Sequence, residues 1–195
     1  MKTLLPNILT GSRIVLTPVF IYFLFWGDGY GYAGALLIFI LASLTDIWDG
    51  RLARRYQVET TMGKILDPLA DKVLVLSAFI SFMTMDIIYF WMVATIVLRD
   101  VIITALRFLL EYYKMPMATS KQAKSKTALQ VTAIIFILTY LSLKSFQVHL
   151  ITDAVDQLHL IIILMYLTVF VTVYTGLDYL FGNRASIRAL VRSNR

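Results

Sequence analysis

Asp46 and Asp49 stand three residues apart, and Asp67 and Asp71 stand four apart. On a helix, spacings of three and four put both members of a pair on one face. A connection of about eight residues between the two stretches lets those faces meet. Four carboxylates gathered near a membrane are costly: a single Asp at the centre of a spanning helix costs about 2.5–3.5 kcal/mol, and mutual repulsion adds to it. Two divalent ions match the four negative charges in number. Hard carboxylate oxygens select Mg²⁺, Mn²⁺ or Ca²⁺ over softer metals. Two such ions held by carboxylates stabilise displacement at phosphorus.

Small and basic residues surround the pairs. Gly50 follows Asp49, Ala53 lies near the next turn, and Gly63 opens the following stretch. Small side chains let a bulky ligand approach the backbone. Arg54 offers a planar guanidinium that grips phosphate through two hydrogen bonds. Further along, Arg99 and Arg107 are eight residues apart and so lie near one helix face. Arg99 sits eight residues from Trp91, about 12 Å deep at 1.5 Å per residue. An arginine at that depth needs an anion, either a ligand or its neighbour Asp100. Arg107, Lys124 and Lys126, with Arg99 and Arg13, form a candidate clamp for a small phosphate. Lys121 reads more simply as an ordinary cytoplasmic cation.

These residues need a scaffold, and composition says which kind. Of 195 residues, 59% are hydrophobic and only 15% charged, with a mean hydropathy of +0.76. Soluble domains carry about 45–50% apolar and about 25% charged residues, so the excess has to face lipid. Six spanning helices are expected, at about Asn7–Trp26, Tyr32–Arg55, Lys64–Met85, Ile88–Tyr112, Ser125–Leu143 and Leu158–Phe181. Each approaches the roughly 20 residues that a hydrocarbon core demands. The polar opening Asn7–Arg13 is expected to lie in the membrane interface. Loops are short and no repeat or linker is visible, so residues 1–195 read as one all-α membrane domain.

The segments Gly27–Gly31, Asp86–Ile87 and Ser145–Gln157, together with their flanks, hold acidic residues with Lys144 as their one cation, while the other side holds the remaining basic clusters. The positive-inside rule then puts both termini and the aspartates in the cytoplasm. It also accounts for the net charge of +6 without a nucleic-acid partner. With no cysteine, neither disulfides nor thiolate metal ligands are available. The first apolar run lacks a small-residue cleavage pattern, so no cleaved signal peptide is expected. Trp26, Tyr30, Tyr32, Tyr89 and Trp91 suggest an outer aromatic belt. His149 and His159 fall at that outer end, away from the aspartates. Gly27-x-x-x-Gly31 falls in a polar connection and does not read as a helix-dimer motif. The tail after Gly182 is basic and suits anionic headgroups, or simply water.

The pattern D-x-x-D-G-x-x-A-R-x8-G-x-x-x-D-x-x-x-D, met from Asp46 to Asp71, resembles the signature of the CDP-alcohol phosphatidyltransferases. The chain is most similar to the phosphatidylglycerophosphate synthase branch. That likeness rests on Pro6-Asn7-x-x-Thr10-x-x-Arg13, Leu66–Lys72, Arg99-Asp100-x-x-Ile103-x-x-x-Arg107 and Lys124–Thr127, with Ala123 departing from the branch's usual Gly. The resemblance implies that Asp46 and Asp67 bridge two Mg²⁺ or Mn²⁺ ions, Asp49 completes one site and Asp71 the other. It implies that Asp71 is the general base and that Asn7, Gly50, Ala53, Arg54, Thr60 and Gly63 bind the CDP-lipid. It further implies CDP-diacylglycerol and sn-glycerol-3-phosphate as substrates, a homodimer, and an inner-membrane enzyme with its site facing the cytoplasm. Two rivals stay open: a sister enzyme using inositol phosphate, serine or phosphatidylglycerol as acceptor, and a six-helix ion transporter. Against the transporter, the carboxylates cluster at one face instead of the midplane and no inverted repeat is visible.

Overall fold

The computed structural model describes residues 5–56, 61–113, 115–116 and 123–193, with side chains for 15–44, 72–113, 115–116 and 125–190. The described residues form eight helices and no strand: α1 (Leu5–Trp26), α2 (Gly29–Tyr56), α3 (Thr61–Thr84), α4 (Phe90–Tyr112), α5 (Ala123–Ser145), α6 (His149–Gln157), α7 (Leu160–Gly182) and α8 (Arg184–Ser193). The six long helices match the six expected runs. α1 continues without a break through Asn7–Arg13, so that polar opening forms the first turns of the same helix. α6 and α8 are additions that a search for long apolar runs passes over.

Local chemistry explains where the helices stop. Gly27 takes a left-handed φ of 81°, which glycine adopts without penalty. The Asp28 carboxylate then accepts a hydrogen bond from the Gly31 N–H at 2.6 Å. This N-cap starts α2 one turn earlier than the apolar run suggests. Gly31 therefore belongs to α2 and not to a polar connection. A Cβ at Gly31 would meet the Phe23 carbonyl oxygen at 2.7 Å, and one at Gly34 would meet the Phe23 ring at 2.6 Å. These glycines let α1 and α2 pack closely within one chain. Asp86, Gln147 and His159 also take positive φ and end α3, α5 and α6 in left-handed turns.

α5 lies at the centre. It packs against α2, α3, α6 and α7, while α1 packs on α2 and α3, and α4 packs on α3, α7 and α8. Between them Phe20, Leu24, Phe39, Phe79, Phe82, Met92, Ile96, Ile134, Ile137, Leu138 and Met165 are fully buried. Phe20 and Phe39 hold α1 to α2 at a ring-centroid distance of 5.9 Å.

The outward faces are apolar too: Leu37 and Leu41 on α2, Leu98 and Val101 on α4, and Ile163, Leu167 and Phe170 on α7 are all exposed. Helices that are apolar all round suit lipid and not water. α5 from Ser125 and the whole of α7 are long and apolar enough to cross a membrane, and α1, α2 and α3 contain shorter apolar stretches. α4 is one continuous helix whose apolar run is interrupted by Arg99 and Asp100.

Three connections meet at one end of the bundle. Phe146 packs against Gly29 and Tyr30. Tyr32, Met85, Ile87, Lys144, Asp156 and His159 line a cavity of about 430 Å³ there. Lys144 donates to Asp156 at 3.0 Å and to the Tyr140 hydroxyl, which itself donates to Asp156. Hydrogen bonds from Tyr140 and then Lys144 hold the Asp156 carboxyl below its usual pKa. Of the expected aromatic belt, Trp26, Tyr30, Tyr89 and Trp91 are exposed, whereas Tyr32 turns inward to line the cavity. At the other end, Ser186 of α8 donates to the Pro116 carbonyl at 2.7 Å.

Candidate active site

α2 runs unbroken to Tyr56, so Asp46 and Asp49 both lie on helix. Asp67 and Asp71 lie in the first turns of α3. At 3.6 residues per turn the first pair is rotated by about 60° and the second by about 40° about its axis. Each pair therefore lies along one helix face, in a spacing suited to hard cations. α1 and α5 each pack on both α2 and α3, so the aspartate-bearing helices flank the same two neighbours. The side chains of Asp46, Asp49, Asp67 and Asp71 lie outside the described residues. The same holds for those of Asn7, Arg13, Gly50, Ala53, Arg54, Gly63 and Lys124, and Thr60 lies outside altogether. Among the described residues, no group of three His, Asp or Glu side chains stands together as metal ligands.

The described part of the site begins at the residue after Asp71. Lys72 reaches from α3 to α4, donating to the Asp100 carbonyl at 3.4 Å and to the Thr104 hydroxyl. Thr104 in turn donates to the same carbonyl at 2.6 Å. The Asp100 residue is 3% exposed and its carboxylate holds two cations. Arg99 Nη1 donates to Oδ1 at 3.2 Å, and Lys126 Nζ from α5 donates to the same oxygen. The other Arg99 terminal nitrogen, Nη2, donates to the Thr175 hydroxyl of α7 at 3.1 Å. α3, α4, α5 and α7 are thus tied together through one buried carboxylate and the residues beside it.

Arg99 fits because α7 has Gly176 opposite it. A Cβ there would lie 3.0 Å from Arg99 Cγ and 3.2 Å from Nε. That Nε is buried with no hydrogen-bond partner, as are Gln130 Nε2, Thr172 Oγ1 and the Tyr179 hydroxyl. Gln130 lies one turn beyond Lys126 on α5. Thr172 lies one turn before Thr175 and Gly176 on α7. An unpaired buried donor costs about 1–3 kcal/mol, and Arg99 Nε is one such donor on the polar seam that the Arg99–Thr175 hydrogen bond marks between α4 and α7.

Of the expected phosphate clamp, the structure brings Arg99 and Lys126 together and joins them through Asp100. Arg107 lies two turns beyond Arg99, is exposed, and is within electrostatic reach of Tyr179. The sequence points to Asp100 as a partner for Arg99 but not for Lys126, 26 residues away. It does not point to α7 at all. The signal there is Thr168, Thr172, Thr175 and Gly176, a small polar stripe at helical spacing on an otherwise apolar helix.

The sequence model of the CDP-alcohol phosphatidyltransferase family matches residues 3–174. The chain is 35% identical to the CDP-diacylglycerol–glycerol-3-phosphate 3-phosphatidyltransferase of Rickettsia typhi, across 90% of this chain and 94% of that protein. It is 34% identical to the protein of the same name from Bacillus subtilis, across 94% of this chain and 97% of that one. It is also 35% identical to a probable phosphatidylglycerophosphate synthase of Mycobacterium tuberculosis, across 90% of this chain and 79% of that protein.

Proposed function

The chain belongs to the CDP-alcohol phosphatidyltransferase family, and from that premise we propose that it moves the phosphatidyl group of CDP-diacylglycerol onto sn-glycerol-3-phosphate. The products are phosphatidylglycerophosphate and CMP, and the chain acts as a single unit. The carrying observation is that the relatives named for this reaction align along nine-tenths of the chain or more. The Arg99–Asp100–Lys126 cluster supports it, because Lys72 joins that cluster directly to the helix turn of Asp71.

Asp46, Asp49, Asp67 and Asp71 would hold two Mg²⁺ or Mn²⁺ ions. Their hard oxygen donors and helical spacing fit such ions. Bound there, such ions would balance the four carboxylates in charge and would polarise the diphosphate for displacement at phosphorus. Gly50, Ala53 and Gly63 leave room for the cytidine diphosphate, and Arg54, Thr60 and Asn7 hold it. Asp71 removes the proton from the acceptor hydroxyl as that oxygen attacks the lipid-side (β) phosphorus. A new P–O bond forms, the diphosphate bridge breaks, and its bridging oxygen leaves with CMP.

The acceptor phosphate is held by Arg107, Lys124 and Lys126, with Arg99 and Arg13. Asp100 cancels one of the two charges of Arg99 and Lys126, and the pair keeps a net positive charge. Arg99 Nε remains an unused donor on the seam. On this reading the chain has six spans, with both termini and this site on the cytoplasmic side of the inner membrane, which the distribution of Lys and Arg supports. A homodimer is part of the same reading.

An acceptor panel tests the assignment. Purified protein given CDP-diacylglycerol and Mg²⁺ releases CMP with glycerol-3-phosphate, and at most a few per cent as fast with serine, inositol phosphate or phosphatidylglycerol. Arg107→Ala raises KM for glycerol-3-phosphate about tenfold or more, the value of one charge-assisted hydrogen bond, and leaves KM for the CDP-lipid within twofold. Equal KM values for the acceptor before and after the change contradict the clamp.

A further inference from the structure

α7 and α8 meet at a fixed elbow. The Asn183 side-chain amide donates to the Tyr179 carbonyl at 2.9 Å. The Ile187 N–H donates to the Asn183 carbonyl at 3.0 Å, and Ser186 ties α8 to Pro116. The inside of the elbow is a cleft of about 430 Å³ lined by Leu177, Leu180 and Phe181 from α7 and by Arg184, Ile187 and Arg188 from α8. Each trio has i, i+3, i+4 spacing, so each wall is a single helix face. Phe181 is 68% exposed and Leu177 48%, which continues the outward apolar face of α7. The wall then changes character within about 10 Å of axis, from aromatic and aliphatic to two guanidinium groups. Neither Arg184 nor Arg188 forms an ion pair among the described residues.

We propose that this elbow cleft is a binding site for an anionic phospholipid, seating its phosphodiester between Arg184 and Arg188 and its upper acyl chain on Phe181 and Leu177. The order of surfaces matches such a molecule: apolar along α7, cationic where α7 ends. A soluble phosphate finds no use for the apolar wall, and a zwitterionic lipid brings no net charge to the two arginines. Arginine suits the phosphate because its planar fork donates in pairs. The site is separate from the aspartate helices and binds lipid without turning it over. It requires only that α7 cross the membrane, not that the proposed reaction be correct.

The test is photolabelling of the full chain in phosphatidylcholine nanodiscs, with trace photoactivatable phosphatidylglycerol or phosphatidylcholine. Cross-links to the segment 177–188 are expected at roughly tenfold higher yield from the phosphatidylglycerol probe, given the attraction of basic residues for anionic lipid. Arg184→Gln with Arg188→Gln brings that yield down to the phosphatidylcholine level, with CMP-forming turnover in detergent unchanged within twofold. Equal labelling by both probes overturns the proposal, as does a preference that survives the double substitution. Excess glycerol-3-phosphate leaves labelling unchanged; displacement would assign the arginines to a soluble phosphate and overturn it as well. If the double variant loses turnover, Ile187→Trp decides by filling the cleft without altering charge. Loss of phosphatidylglycerol labelling in that variant supports the site, and undiminished labelling refutes it.

Discussion

Asp71→Asn is expected to lower turnover of CDP-diacylglycerol by a factor of at least about a thousand while leaving measurable binding of the CDP-lipid. Asn has nearly the shape of Asp and fits the same place on α3. It cannot take a proton from the acceptor hydroxyl, a contribution worth about 10²–10⁴ in rate. It would also supply one negative charge fewer to the cations proposed to stabilise the displacement. On the proposed reading Asp46, Asp49 and Asp67 remain to hold cations, so the diphosphate should still bind. Steady-state kcat together with equilibrium binding of CDP-diacylglycerol separates the two effects. A kcat within tenfold of the unsubstituted protein refutes the base assignment. Loss of binding and turnover together would make Asp71 a ligand alone.

Asp100→Ala is expected to cost about 3–5 kcal/mol of stability, because it leaves buried cations without their counter-charge. Lys126 is 5% exposed, and both it and Arg99 donate to the same Asp100 oxygen. Neither has a second carboxylate partner among the described residues. The lower midpoint of thermal unfolding in detergent is the readout. Coupling is the sharper test: Asp100→Ala combined with Lys126→Met should be less destabilised than the sum of the two single changes, since each removes the other's unpaired charge. Strict additivity would show that the ion pair contributes little. In protein that remains folded, loss of Asp100 also raises KM for glycerol-3-phosphate, because Arg99 and Lys126 lose the anchor that aims them.

How much of the molecule is legible in its sequence follows from the range over which each signal acts. α5 and α7 can be read because an apolar run near 20 residues suits a membrane span better than a soluble core, and α1, α2 and α3 show as shorter apolar stretches of the same kind. Helix ends are less visible where a single side chain decides them, as with the Asp28 cap that brings Gly29–Gly31 into α2. α6 has nine residues and forms where the chain turns at the outer end, held by Lys144 and Tyr140 on Asp156, so hydropathy passes over it. The paired spacing of Asp46 with Asp49 and Asp67 with Asp71 is a local pattern and survives in the helices that carry it. The tie between Asp100 and Lys126 is not local, and no spacing rule connects α4 to α5. Nor does any connect Lys72 to Thr104 across α3 and α4. Such contacts depend on which faces pack together, and here Gly176 decides one of them by leaving room for Arg99. Packing likewise turns Tyr32 inward, although its type and place suit the aromatic belt.

CMP release under metal control reports whether carboxylates of α2 and α3 gather divalent cations for phosphatidyl transfer. Protein stripped with a chelator and given CDP-diacylglycerol and glycerol-3-phosphate should release no CMP above background. Added Mg²⁺ or Mn²⁺ should restore release, and only while the acceptor is present. Undiminished CMP release after exhaustive chelation would rule out a divalent-metal role for these carboxylates.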